Sequence, residues 1–247
     1  MSGMRLYDEI IQEIRTYQAE KEQEAYWRQF LDVQHTPWPE GGVKNIVLRT
    51  DVGIELGHPR DPAAALSIWT EDIDCITDNR VTLIGPDIGE AGVEHLPFGK
   101  VVLLCVEGFD EECAYVRQKE LELMILDVSL KGYMLRATTE HAREWSRISK
   151  EAVQGGFSLL TLAGSLIHEY KRKEYVKSVE LMFVTSCSED VEALRPMAER
   201  ARKITQALSK FDEQISHDCR TCDLQEVCGE VAALRKMRRK VNRREMP

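Results

Sequence analysis

A chain of 247 residues, 43% hydrophobic and 30% charged, can bury a substantial core as one large domain or two small ones. Its formal net charge of −9 argues against general nucleic-acid binding, and runs such as VVLLCV (Val101–Val106) fall far short of a membrane span. The opening MSGMRLYDEI has no apolar signal core, and the seven cysteines are odd in number and unevenly spaced, so the expectation is a cytoplasmic protein with thiols or metal thiolates rather than disulfides.

Residues 4–31 read as one amphipathic helix, because Leu6, Ile10, Ile14 and Tyr17 recur at helical spacing without Gly or Pro. HTPWPEGG (His35–Gly42) then breaks the chain, which predicts an N-terminal helical arm over 1–34 and an α/β domain over 44–210. Asn45–Thr50, Ala65–Thr70 and Arg80–Gly85 read as short strands, and Lys100–Gly108 as a strand buried on both faces. From Asp110 the pattern turns helical through EECAYVRQKELELMILDV, HAREWSRISKEAVQGG and SLLTLAGSLIHEYKRK. Ser178–Ser186 is a late strand, followed by a helix with Ser188 as its N-cap and a kink or break expected at Pro196. Residues 211–247 hold a Cys-rich turn and a basic C-terminal helix. The fold class is α/β: a mixed sheet with Lys100–Gly108 and Ser178–Ser186 as members and helices near 146–154 and 191–209 packed on it.

HDCRTCDLQEVCGE, beginning at His217, places Cys219, Cys222 and Cys228 at Cys-x2-Cys-x5-Cys spacing. A tight turn can aim such sulfurs at one metal. A fourth donor could be Cys187, His217 or a partner's residue. Spacing leaves zinc and an iron–sulfur cluster open, as well as an unmetallated redox pair or simple thiols. Cys105 lies in an apolar strand and reads as core packing, Cys75 as a turn edge, and neither they nor Cys113 as ligands.

LIGPDIGE (Leu83–Glu90) reads as a tight turn capping a strand, or as a loop that admits a ligand backbone; it is no Walker or dinucleotide signature. In REWSRISKEAVQGGF, Arg143, Arg147 and Lys150 are spaced to share a helix face beside Trp145. Such a group can hold a phosphate and an adenine ring, or be a solvated basic face with the indole in the core. The basic stretch LRKMRRKVNRRE is a solvated helix or a dock for an acidic partner.

Together, ELGHP, VTLIGPDIGE, LPFGKVVLL, RISKEAVQGGF and VELMFVTS with the following SEDVEALRPMAERAR resemble, in the same order, the middle domain of acetyl-CoA synthase. That is the β subunit of the carbon monoxide dehydrogenase/acetyl-CoA synthase complex. The resemblance runs from about residue 44 to 207. It implies an α/β unit that contacts coenzyme A and ferredoxin through arginines and a tryptophan, with Arg147 and Lys150 at the family's basic position and Trp145 beside them. Carbon monoxide dehydrogenase complex subunits or a ferredoxin-like protein are the implied partners, in anaerobic metabolism. The family's nickel and iron–sulfur A-cluster uses Cys-x2-Cys-x8-Cys-x9-Cys and a later Cys-Gly-Cys, which Cys219, Cys222 and Cys228 do not reproduce. The expectation is therefore an accessory or binding module that is not catalytic alone. The alternatives are a coenzyme A- or corrinoid-linked transferase subunit whose metal center is completed in trans, and a zinc-stapled structural subunit.

Overall fold

The computed structural model describes residues 4–42, 45–137, 142–212 and 222–244. Its strands are β1 (Trp27–Phe30), β2 (Val52–Leu56), β3 (Ala63–Thr70), β4 (Arg80–Ile84), β5 (His95–Leu96), β6 (Phe98–Val106), β7 (Tyr133–Ala137), β8 (Trp145–Ser149) and β9 (Val176–Val184). The helices are α1 (Asp8–Lys21), α2 (Ala114–Leu123), α3 (Lys150–Gln154), α4 (Leu159–Lys171), α5 (Ser188–Asp212), α6 (Gln225–Glu230) and α7 (Ala232–Arg244).

The apolar runs build a mixed five-stranded sheet in the order β1-β4-β9-β6-β3. β6 and β9 are antiparallel neighbors, while β4/β9 and β3/β6 are parallel. Every residue of β3 and β6 is buried, as continuous apolar strands covered on both sides should be. α5 packs on β3 and β6, α4 on β9, and α1 against α5. The close approach is visible at Gly99, where a Cβ would lie 2.7 Å from Leu194 of α5. The fold is thus the expected α/β class, with an N-terminal helix and C-terminal helices.

Four local expectations are corrected. The N-terminal helix spans α1 alone; the aromatic residues after it form edge strand β1, because Trp27 and Phe30 pair along β4 and suit a pleated, half-buried surface. Ile10, Ile11 and Ile14 of α1 are buried in the common core. Asn45–Thr50 contains no strand; pairing begins at β2, one step later. Ser188 opens α5 as a helical residue, and the helix continues past the exposed Pro196 without a break. Residues 145–149, expected to be helical, form strand β8.

That strand belongs to a second sheet, ordered β5-β2-β8-β7. A buried ion pair between Lys100 of β6 and Glu144 at the head of β8 links the sheets, and Tyr133 of β7 donates to the same carboxylate at 3.3 Å. Burial, followed by the Glu144 charge, pushes the Tyr133 phenol well above its ordinary range, which keeps it a donor. LIGPDIGE is the turn and cap it resembles: Asp87 accepts from Ile88 N–H and also from Leu159 N–H at 2.8 Å, fixing the start of α4. Gly85 (φ 118°) is required there, since a Cβ would lie 2.3 Å from the Ser186 nitrogen.

Candidate functional site on the four-stranded sheet

The register of the small sheet pairs His95 and Arg147 with Glu55 from its two sides, and Met134 with Arg147. Residues paired this way share a face, so four strands present one cross-strand row: His95, Glu55, Arg147, Met134. Along β8, Ser146 and Ile148 are buried toward the core while Trp145, Arg147 and Ser149 are half-buried on the other face.

Glu55 is the center of the row and is only 4% exposed. Its Oε1 accepts from Arg147 Nε. Its Oε2 has no hydrogen-bond partner among the described residues; it lies 3.6 Å from His58 Nε2 and 3.7 Å from His95 Nδ1. The two imidazoles face each other with centroids 4.8 Å apart. Among the described residues, Glu55, His58 and His95 are the one group of three His, Cys, Asp or Glu side chains whose ligand atoms all lie within 4.8 Å of one another.

The turn after β2 holds His58 in place. Gly57 adopts φ 63°, and a Cβ there would lie 2.2 Å from the Glu144 carbonyl, so only glycine fits. Arg143 Nη2 donates to the carbonyls of Gly57 (2.9 Å), His58 (2.5 Å) and Asp61 (3.2 Å), clamping the turn from inside. Trp145 packs edge-on to His58 at 5.6 Å. The guanidinium groups of Arg136 and Arg147 lie 5.1 and 5.5 Å from the center of its ring, within cation–π range.

The residues expected on one helix face therefore separate. Trp145 and Arg147 sit together on β8, Arg143 is consumed by the turn, and Lys150 opens α3 and donates to the Thr50 carbonyl at 2.9 Å. A period of two, not 3.6, governs this stretch. Sequence reasoning missed Glu55, His58, His95 and Arg136 as site residues. ELGHP was visible, but the parallel β2/β5 pairing that brings His95 to Glu55 leaves no mark in local spacing.

The cysteines are elsewhere. Cys219 and His217 lie outside the described residues. Cys222 is half-buried just before α6 and Cys228 is buried within it, with α6 packed on α5 and α7. Cys187 is exposed at the start of α5, and burial together with the carboxylates of Asp190 and Glu189 pushes its thiol up, away from thiolate. Glu230 of α6 lies against Arg200, 4.0 Å away and thirteen residues along α5 from Cys187, about 20 Å at helical rise. Cys187, Cys222 and Cys228 do not gather their sulfurs into one group among the described residues. Cys105 is buried in the core as expected, Cys75 ends a short turn of 3-10 helix, and Cys113 precedes α2.

Residues 31–192, about two thirds of the chain, match the family described as the CO dehydrogenase/acetyl-CoA synthase complex beta subunit. The acetyl-CoA decarbonylase/synthase complex subunit beta of Archaeoglobus fulgidus is 26% identical over 184 residues, covering 71% of this chain and 34% of that protein. The corresponding subunit of Methanopyrus kandleri is 28% identical over 182 residues, covering 70% and 37%. The carbon monoxide dehydrogenase/acetyl-CoA synthase subunit alpha of Moorella thermoacetica is 30% identical over 140 residues, covering 56% and 18%. The chain spans little more than a third of the two beta subunits it matches. The matched stretch contains the five-stranded sheet's β3, β4, β6 and β9 together with the whole polar row of the small sheet, and by it the chain belongs to the CO dehydrogenase/acetyl-CoA synthase complex beta subunit family, as a middle-domain-like α/β protein.

Proposed function

We propose that this chain is a binding module of CO and acetyl-CoA metabolism, not catalytic alone, whose small sheet presents Trp145, Arg147 and Arg136 to coenzyme A. The observation that carries the reading is the pair of guanidiniums over one half-buried indole. Coenzyme A combines an adenine ring with several phosphates, and an aromatic face flanked by arginines offers stacking and charge-assisted hydrogen bonds together. Arg147 is held by Glu55 through Nε, which aims its terminal nitrogens, while Arg136 is exposed. Lys150 adds positive charge at the edge of this surface.

Its partners would be subunits of the CO dehydrogenase/acetyl-CoA synthase complex or a ferredoxin-like protein, in the cytoplasm. Among the described residues no helix is long and apolar enough to cross a membrane. α7 buries Leu234 and Met237 and leaves Arg235, Lys236 and Arg239 exposed, a basic face suited to an acidic partner. The turn with Cys219, Cys222 and Cys228 would hold zinc or an iron–sulfur cluster that staples α6 and α7 to α5. With Cys187 far along α5, the fourth donor falls to His217 or a partner. Chelation or Cys222→Ser should then speed proteolysis beyond residue 212 and spare the sheet; equal cutting with and without metal would remove the staple.

Calorimetric titration with coenzyme A tests the main reading. A charge-assisted phosphate contact is worth about 1.5–3 kcal/mol, so Arg147→Ala or Arg136→Ala should each weaken binding by about tenfold or more. No heat with the wild-type chain would end it.

A further inference from the structure

We infer that Glu55, His58 and His95 form a mononuclear site for a divalent first-row transition ion of zinc type, separate from the cysteine turn. Three donors at about 2.0–2.2 Å from one tetrahedral ion lie about 3.3–3.5 Å from one another. The Glu55 Oε2 distances to His58 Nε2 and His95 Nδ1, 3.6 and 3.7 Å, are within a few tenths of that without an ion. They are too long for hydrogen bonds. A buried carboxylate oxygen and the facing His95 Nδ1 are therefore both without a hydrogen bond among the described residues. A buried polar group left so is costly, and a cation between the three donors would satisfy them all at once.

The surroundings fit the same assignment. Arg147 holds the other oxygen of Glu55, which fixes the carboxylate so that Oε2 points at the imidazoles. An imidazole that binds metal through Nε2 carries its proton on Nδ1. For His58 that nitrogen faces Asp61 Oδ2 at 3.9 Å, a second buried oxygen without a hydrogen bond among the described residues. The Arg60 N–H that now contacts His58 Nδ1 at 3.2 Å would give way to it. His58 and His95 have side-chain exposures of 18% and 36%, so the site opens to solvent on one side and leaves a fourth position for an exchangeable ligand. One carboxylate and two neutral imidazoles leave a divalent ion with a net positive charge beside Arg147. That fourth ligand is accordingly an anion: a thiolate, a carboxylate or a phosphate oxygen.

Titration of the metal-stripped full chain with Co2+, without coenzyme A and under a phosphine reductant, tests this independently of the coenzyme A reading. Cobalt on nitrogen and oxygen donors shows ligand-field bands only, whereas cobalt on the cysteines adds thiolate charge transfer. One equivalent of the thiolate-free type is expected. It should be lost in Glu55→Gln and His95→Gln, kept in Cys222→Ser, and weakened 10–100-fold in Asp61→Asn. Imidazole nitrogen NMR of the wild-type chain with Zn2+ should move at least two of its six histidines, since the cysteine turn alone can move only His217, a readout that needs no variant. A wild-type chain with no thiolate-free equivalent, a His95→Gln variant that binds as wild type, or fewer than two moved histidine resonances would each overturn the site.

Discussion

Two buried carboxylates, Glu180 under α1 and Glu55 on the small sheet, are treated in opposite ways. Glu180 has both oxygens taken: Arg15 engages both, Arg80 donates to one at 2.8 Å, and Thr77 N–H donates to the other at 3.0 Å. Burial alone would raise its pKa; the Arg15 hydrogen bond and the Arg15 and Arg80 charges outweigh it and hold the carboxyl below its ordinary range. Glu55, almost as deeply buried, has one oxygen bonded and the other facing two histidines beyond hydrogen-bond distance. A fold that closes every bond around one buried acid and leaves another open separates charge used for cohesion from charge kept for a ligand.

The largest effect should come where cohesion is most buried. Lys100→Met strips the Glu144 carboxylate of its cation at the junction of the two sheets. Leaving one buried charge unpaired costs about 3–5 kcal/mol, which urea unfolding would read as a large drop in midpoint. Glu180→Ala should cost less, about 3 kcal/mol at the lower end of that range, because Arg15 and Arg80 are 23% and 20% exposed and can turn to water. If Lys100→Met proves milder than Glu180→Ala, the ranking by burial is wrong.

Acid sharpens the same contrast. Glu180 and Asp190 both have folded pKa values below their unfolded ones; for Asp190, burial is outweighed by hydrogen bonds from Lys21 and Ser186. Their contribution is fully present above the unfolded values near about pH 4, and is lost as pH falls through the folded values. Unfolding midpoints followed downward from neutral pH should fall in that window, and Glu180→Gln should flatten part of the fall. An unchanged slope in the variant would deny Glu180 its role. At the small end, Lys150→Ala breaks one exposed hydrogen bond to Thr50 and should shift stability by less than about 0.5 kcal/mol.

The sequence made the cohesive half easy to read. β3, β4, β6 and β9 are dense in apolar β-formers, and α2, α4 and α5 carry helical spacing, so both the mixed sheet and its helices follow from pattern. The small sheet did not show itself, because β2 contains Gly53 and Glu55, and β8 alternates Trp145 and Arg147 with a single inward aliphatic, Ile148. Joined to the helical KEAVQ that follows, β8 imitates a helix. Of the site, Trp145 and Arg147 were legible by residue type and by resemblance to the family. The Glu55, His58 and His95 arrangement depends on strand pairing between β2 and β5, which only the folded chain reveals.

The comparison rests most directly on urea unfolding of Glu55→Gln beside Glu180→Gln in metal-free buffer. Gln at 55 can still accept from Arg147 and takes the counter-charge from one guanidinium, where Gln at 180 takes it from two, so the loss at 55 should stay at about 1.5 kcal/mol. Gln at 180 should lose about 3 kcal/mol. Equal losses would contradict the account, because Glu55 would then hold the fold together as Glu180 does, rather than wait for a ligand.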